Sequence, residues 1–178
     1  MKIAVYLDTG VMAKAAAATA AEVLREAIRQ KGRAAFIAAT GASQFDFLKH
    51  LVAAPGIAWD RTTMFHLDEY IGVPADHPAS FRRYLRERLT SKAPIGTAHF
   101  IEGDAADLDG EVARLNRLLG AVPIDAAFVG VGENGHLAFN DPPADFDTET
   151  PYLVVSLDEG CRRQQMGDGG ARELPPDD

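Results

Sequence analysis

Residues 124–131, Ile124-Asp125-Ala126-Ala127-Phe128-Val129-Gly130-Val131, carry charge only at Asp125 and empty into Gly132-Glu133-Asn134-Gly135-His136. A short apolar run of this kind reads as a strand buried on both faces, the form strands take in a parallel sheet covered by helices. Open sheets of that class place ligands outside the carboxyl ends of their strands, where glycine lets backbone approach a ligand closely. His136, with Asn140-Asp141 close behind it, is a side chain suited to moving protons near neutral pH, and a nearby carboxylate can orient its ring. The single stretch 128–141 therefore already implies an α/β fold with a ligand site at a strand end.

The rest of the chain alternates in the same way. Ile3 to Leu7 reads as a strand, and the alanine-rich run Val11 to Lys31 as a helix closed by Gly32. Ala34 to Ala39 reads as a strand, followed by a helix that Ser43 can cap and that runs to about Val52, where Pro55-Gly56 breaks it. Thr62 to Leu67 is the next strand. Pro78 can begin a helix whose Phe81, Tyr84, Leu85 and Leu89 share a face, and His99 to Ile101 suits a brief strand. Asp104 or Asp107 opens a helix through Leu119, with Val112, Leu115, Leu118 and Leu119 inward. After the strand at 124–131, Tyr152 to Leu157 reads as a fifth substantial strand and 158–165 as a short helical stretch. The expected architecture is a three-layer, mostly parallel, Rossmann-like sheet with helices on both faces.

Composition narrows the class. At 178 residues the chain fits one domain, with 47% hydrophobic and 25% charged residues. A formal net charge of −8 argues against a sequence-independent grip on nucleic acid or an anionic membrane. The single cysteine, Cys161, allows no disulfide within the chain and suits a reducing compartment. The apolar start is too short for a signal peptide, so a cytoplasmic protein is expected. Cys161 itself reads as a small buried residue. No His/Cys/carboxylate spacing suggests a zinc site, and the expected chemistry needs neither metal nor cofactor.

Two further strand ends carry polar residues. Thr40-Gly41-Ala42-Ser43 can cradle a phosphate on free backbone N–H groups, although helix caps use the same residue types. Asp68-Glu69-Tyr70 ends the strand Thr62 to Leu67. Adjacent carboxylates on an extended segment point to opposite sides, so one can face a pocket as a general base, or both can cap the loop.

Taken in order, Ala39-Thr40-Gly41-Ala42-Ser43, Leu67-Asp68-Glu69-Tyr70-Ile71-Gly72, His77-Pro78-Ala79-Ser80-Phe81 and the run from Gly130 through Pro142 resemble the glucosamine-6-phosphate deaminase/isomerase family, whose superfamily includes 6-phosphogluconolactonases. The continuation Leu137-Ala138-Phe139-Asn140-Asp141-Pro142, and Tyr70 in place of the arginine usual in lactonases, favour the deaminase branch. The resemblance implies conversion of glucosamine 6-phosphate to fructose 6-phosphate and ammonia, in amino-sugar catabolism. A lactonase-like hydrolase and a non-catalytic sugar-phosphate-binding module are the alternatives.

By the same resemblance Asp68 is the base moving a proton between C2 and C1, and His136 assists ring opening. Asp141 supports His136, and Asn134 stands where some members carry aspartate. Thr40, Gly41, Ala42, Ser43 and Gly135 bind substrate and its phosphate. Arg162 and Arg163 are weaker phosphate candidates, and Tyr70 and Phe139 pack beside the pocket. Asp141 is one methylene shorter than the usual glutamate, and Asn134 does not ionise; both weaken carboxylate–histidine coupling. Relatives continue well past Arg162 to Gly167 and supply a basic residue to the phosphate from there. The resemblance therefore implies that residues 1–178 are one domain lacking its C-terminal part. The implied partner is a small sugar phosphate, with no nucleic acid and no membrane; a homo-oligomer is compatible with it.

Overall fold

The computed structural model describes residues 1–132, 135–140 and 143–157. Helix α1, Thr9–Lys31, starts where the Asp8 carboxylate accepts a hydrogen bond from the Val11 N–H at 2.8 Å. It stops at Gly32, which takes φ 74° and donates its N–H to the Ile28 carbonyl. Its buried stripe is almost all alanine: Ala13, Ala17, Ala20, Ala21 and Ala27, with Leu24. Small side chains let helix α2, Phe45–Val52, bring Phe47, Leu48 and Leu51 into the same core.

Four parallel strands form the sheet: β1, Ala34–Ala38; β2, Thr62–His66; β3, Thr97–His99; and β4, Ala126–Phe128, in the spatial order β3-β2-β1-β4. Phe36 lies at the centre of the core on β1, its ring 6.2 Å from Trp59 and 5.4 Å from Phe128. Asp125, the one charge in the apolar run, clamps β4 to β1. Its N–H donates to the Ala35 carbonyl, its carboxylate accepts from the Ala35 N–H, and Lys31 pairs with it from the end of α1. Helix α3, Phe81–Leu85, continues into a wider turn, Arg86–Thr90, in which the Ser91 N–H reaches back five residues to the Arg86 carbonyl. Helix α4, Leu108–Gly120, opens at Asp107, whose carboxylate accepts from the Gly110 N–H.

The connections decide the layers. From β1 through α2 to β2 the chain moves toward one edge of the sheet; from β3 through α4 to β4 it returns past β1 to the other edge. Right-handed crossovers then put α2 and α4 on opposite faces. Consistently, Leu115 of α4 is buried but stands outside the core cluster shared by α1, α2 and β1.

Several expectations need correction. Ile3 to Leu7 is not a strand: Ile3, Val5 and Leu7 are 75%, 91% and 100% exposed, and no strand among the described residues pairs with them. An apolar alternating run becomes a strand only where an edge receives its N–H and C=O groups. Tyr152 to Leu157 is likewise irregular, with Leu153, Val154 and Val155 exposed. Its anchor is a helix, through a reciprocal pair in which the Tyr152 N–H donates to the Asn116 side chain at 2.7 Å and the Asn116 amide donates to the Tyr152 carbonyl at 2.9 Å. The strand expected over 124–131 is hydrogen-bonded only over Ala126–Phe128, the brief strand falls at 97–99, and the helix expected from Pro78 begins at Phe81 after the Ser80 cap. Ser43 does not cap α2; a tight turn, Ala42–Gln44, leads into it without a side-chain cap. The stretch 158–165, with Cys161, Arg162 and Arg163, lies outside the described residues. Among the described residues no helix is long and apolar enough to cross a membrane.

Candidate active site

β2 and β4 flank β1, so the loops that leave the carboxyl ends of these three strands lie side by side, where sheets of this class place their ligands. A cleft of about 440 Å³ lies there. Its walls hold Thr40 to Ser43 from the loop after β1, Asp68 from the loop after β2, and His136 from the loop after β4. Three segments far apart in sequence thus converge because their strands are neighbours.

Each loop has a local reason for its shape. Gly41 takes φ 103°, a region L side chains rarely adopt, which turns the chain off β1. Gly132 is required by close approach: a Cβ there would run into the His136 imidazole. The Gly132 N–H donates to the His136 carbonyl at 2.9 Å and the Gly135 N–H to the Gly132 carbonyl at 2.9 Å, closing the loop under the ring. Ala138 adopts φ 54°, a strained conformation for a residue with a Cβ, beside the cleft.

The adjacent carboxylates separate completely. Asp68 faces the cleft. Glu69 turns the other way and caps α3, accepting from the Tyr70 N–H at 3.0 Å, the Ser80 hydroxyl at 3.0 Å, the Phe81 N–H at 3.0 Å and the Arg82 N–H at 2.8 Å. Arg82, itself buried, lies 3.6 Å from Glu69, pairs with Asp104 at 2.7 Å and donates to the Val73 carbonyl at 2.8 Å. The loop that presents Asp68 is therefore held from behind by an ionic network. Gly103 completes the clamp, packed so closely on the Tyr70 carbonyl that a side chain would not fit.

Asp68 has the electrostatics of a proton carrier. Its Oδ1 is shielded from solvent and has no hydrogen-bond partner among the described residues. Burial, and secondarily the Glu69 charge, push its carboxyl up to about 7. Behind it His66 is fully buried and held neutral, its pKa lowered to about 3 by desolvation and by Arg82. The Tyr152 hydroxyl donates to the His66 carbonyl at 2.7 Å, so the segment around Tyr152 also packs behind the site.

The aromatic residues form one wall. Tyr70 packs at a tilt on Phe81 at 4.8 Å and on Phe139 at 5.3 Å, and Phe81 and Phe139 stack at 6.1 Å. Of the expected site residues, the structure brings together Thr40, Gly41, Ala42, Ser43, Asp68 and His136. Gly135 stays at the turn, exposed, and is not part of the cleft wall. Asn134 and Asp141 lie outside the described residues. Sequence reasoning did not name the cleft face of α3 and its continuation, where Arg83, Tyr84, Glu87 and Arg88 stand. The only signal was the four-residue spacing of Tyr84 and Arg88, which puts both on one helix face.

The match to the family described as glucosamine-6-phosphate isomerases/6-phosphogluconolactonase extends over residues 8–162. The chain belongs to this family. Its curated relatives include a glucosamine-6-phosphate deaminase of Streptococcus sanguinis (strain SK36), 37% identical over 135 residues, covering 76% of this chain and 56% of the relative. A second, from Streptococcus pneumoniae (strain 70585), is 34% identical over 138 residues, covering 78% and 57%. This family member therefore spans a little over half the length of these relatives. Among solved structures, a monomeric glucosamine-6-phosphate deaminase superposes with a TM-score of 0.83 at 27% identity, over 94% of this chain and 69% of that one. A 6-phosphogluconolactonase from Shewanella baltica OS155 shares the fold, with a TM-score of 0.69 at 22% identity over 77% and 59%.

Proposed function

We propose that the cleft is the active site of an amino-sugar-phosphate deaminase-isomerase, acting on a hexosamine 6-phosphate such as glucosamine 6-phosphate. The observation that carries this reading is Asp68, a carboxyl with a pKa of about 7 that shares one cleft with His136 and the Thr40 to Ser43 loop. A base for carbon acids works best when its pKa lies near the working pH, where it both takes and returns a proton.

In this scheme His136 transfers a proton at the ring oxygen and the sugar opens to its aldehyde. Asp68 removes the proton from C2; the electron pair of that C–H bond forms the C1–C2 double bond while the C1=O π pair moves to O1, which takes up a proton, giving an enolamine. The nitrogen lone pair then forms C2=N as the C1–C2 π pair takes the proton back from Asp68 at C1, which leaves a C2 iminium. Water adds to C2 and ammonia departs, giving the ketose phosphate. Gly41 and its neighbours present backbone N–H groups to the phosphate, Asp141 supports His136, and Phe81 and Phe139 bound the sugar on one side.

The deaminase relatives and the Leu137-Ala138-Phe139-Asn140-Asp141-Pro142 continuation support this reading over lactone hydrolysis. The test is ammonia release from glucosamine 6-phosphate by the full chain and its Asp68→Asn variant. A loss of about 10²–10⁴-fold in kcat is expected, the usual contribution of a positioned base. Equal rates in the two proteins, or 6-phosphogluconolactone hydrolysis faster than ammonia release, would overturn the proposal. Sugar-phosphate binding without turnover would point instead to a binding module.

A further inference from the structure

The cleft has an acidic protein around it and, inside it, a cation with no ion pair among the described residues. With a formal net charge of −8, the molecule as a whole repels an anionic ligand, so a local positive group must supply the attraction. Two arginines line the cleft. Arg83 is already engaged: its Nε donates to Glu87 at 2.8 Å and a terminal nitrogen donates to the Asp76 carbonyl at 3.1 Å. Arg88 makes no ion pair among the described residues, and its Nε is shielded from solvent without a hydrogen-bond partner. A buried guanidinium donor left unmatched in this way is costly unless a ligand accepts from it.

Its placement is built rather than incidental. The guanidinium lies over the Phe45 ring at 4.0 Å and near the Tyr84 ring at 5.1 Å, and those two rings stack on each other at 5.6 Å. The aromatic pair thus holds the cation in place by its carbon centre, and an arginine so held can grip phosphate in a fork. The same cluster is tied to the loop after β1: the Tyr84 hydroxyl donates to the Gly41 carbonyl at 2.9 Å, and Phe45 follows Ser43 by two residues. The wide turn at 86–90 belongs to a class that recurs at functional sites.

We propose that Arg88 is the cation that binds the substrate phosphate, working with the Thr40 to Ser43 loop on the same wall. The assignment rests on the reading of the cleft as a sugar-phosphate site. It gives the described part of the chain a phosphate-binding cation of its own, whatever Arg162, Arg163 or residues beyond this sequence add.

The test compares calorimetric binding of glucosamine 6-phosphate and of glucosamine to the full chain and to its Arg88→Gln and Arg88→Lys variants. Arg88→Gln should weaken the phosphorylated sugar about ten- to a hundredfold, the worth of hydrogen bonds to a charged group, and leave glucosamine binding within twofold. KM should rise more than kcat falls, and Arg88→Lys should recover part of the lost affinity because the charge is restored. Wild-type affinity of Arg88→Gln for the phosphorylated sugar, or no recovery in a folded Arg88→Lys, overturns the assignment. Ammonia release with a KM indifferent to Arg88 sinks this assignment and leaves the deaminase reading standing. Arg88-dependent binding without ammonia release does the reverse. If Arg88→Gln does not fold, phenylglyoxal labelling of the unmodified chain serves. Glucosamine 6-phosphate should slow modification of Arg88 and glucosamine should not; equal labelling counts against the proposal.

Discussion

Asp68 and Glu69 are adjacent, carry the same functional group and do different work. Glu69 is surrounded by donors at the start of α3, while Asp68 is left in the cleft with a shielded oxygen that no donor among the described residues matches. The difference has a pH signature. The folded Asp68 pKa, about 7, lies above its ordinary value of 3.8. Ionisation therefore costs stability, and that cost accrues as pH rises from about 4 to about 7. Asp68→Asn is expected to raise stability at pH 8 by about 1–2 kcal/mol, less than the full shift implies because the side chain is only half-buried, and to change little at pH 4. Urea unfolding at the two pH values measures this. In activity the same group should give kcat/KM an ascending limb with an apparent pKa near 7; a flat profile from pH 5 to 9 would contradict its role as base. Sequence alone places the two carboxylates on opposite sides of the chain. Which one meets the ligand depends on where α3 begins, and that is a tertiary fact.

At the scale of elements, an expectation holds where its signal is local. Gly32 ends α1 as a left-handed residue, and of Asp104 and Asp107, the two expected starts of α4, Asp107 is the one whose side chain caps it. The strands expected at 3–7 and 152–157 fail because a strand's hydrogen bonds belong to its neighbour. Helix α3 is an intermediate case: a short helix followed by a wide turn, held at its start by Glu69. Replacing Glu69 with alanine leaves the Ser80 hydroxyl and the Phe81 and Arg82 N–H groups without their acceptor and removes one of the two carboxylates beside the buried Arg82 side chain. A loss of about 2–4 kcal/mol in chemical denaturation is expected. The variant should also lose activity, since α3 carries the arginine wall and the loop before it carries Asp68. A cost below about 1 kcal/mol would show that the helix start is held by something else.

At the scale of the molecule, the core and the site share one organising strand. β1 is central: β2 and β4 flank it, Phe36 fills the core beneath it, and the Thr40 to Ser43 loop leaves its carboxyl end. Phe36→Ala should cost about 3–5 kcal/mol, a large share of the 5–15 kcal/mol that typically separates folded from unfolded domains. The cleft should suffer with the core, because both loops that form the crevice start from strands paired through β1. Thermal melts followed with and without glucosamine 6-phosphate test this; a variant that melts normally and binds normally would separate site from core.

Residue types and their order were sufficient for the α/β class, the three loops that line the cleft and the family they resemble. Hydrophobic runs, glycines and caps are local signals, and each acts within a few residues. Tertiary structure alone decided that the connections reverse direction at β1, that Asp68 rather than Glu69 faces the cleft, and that Arg88 stands beside Phe45 and Tyr84. Those outcomes depend on strand order and on contacts between segments tens of residues apart, and no periodicity along a chain encodes which distant partner a strand or a charge will meet.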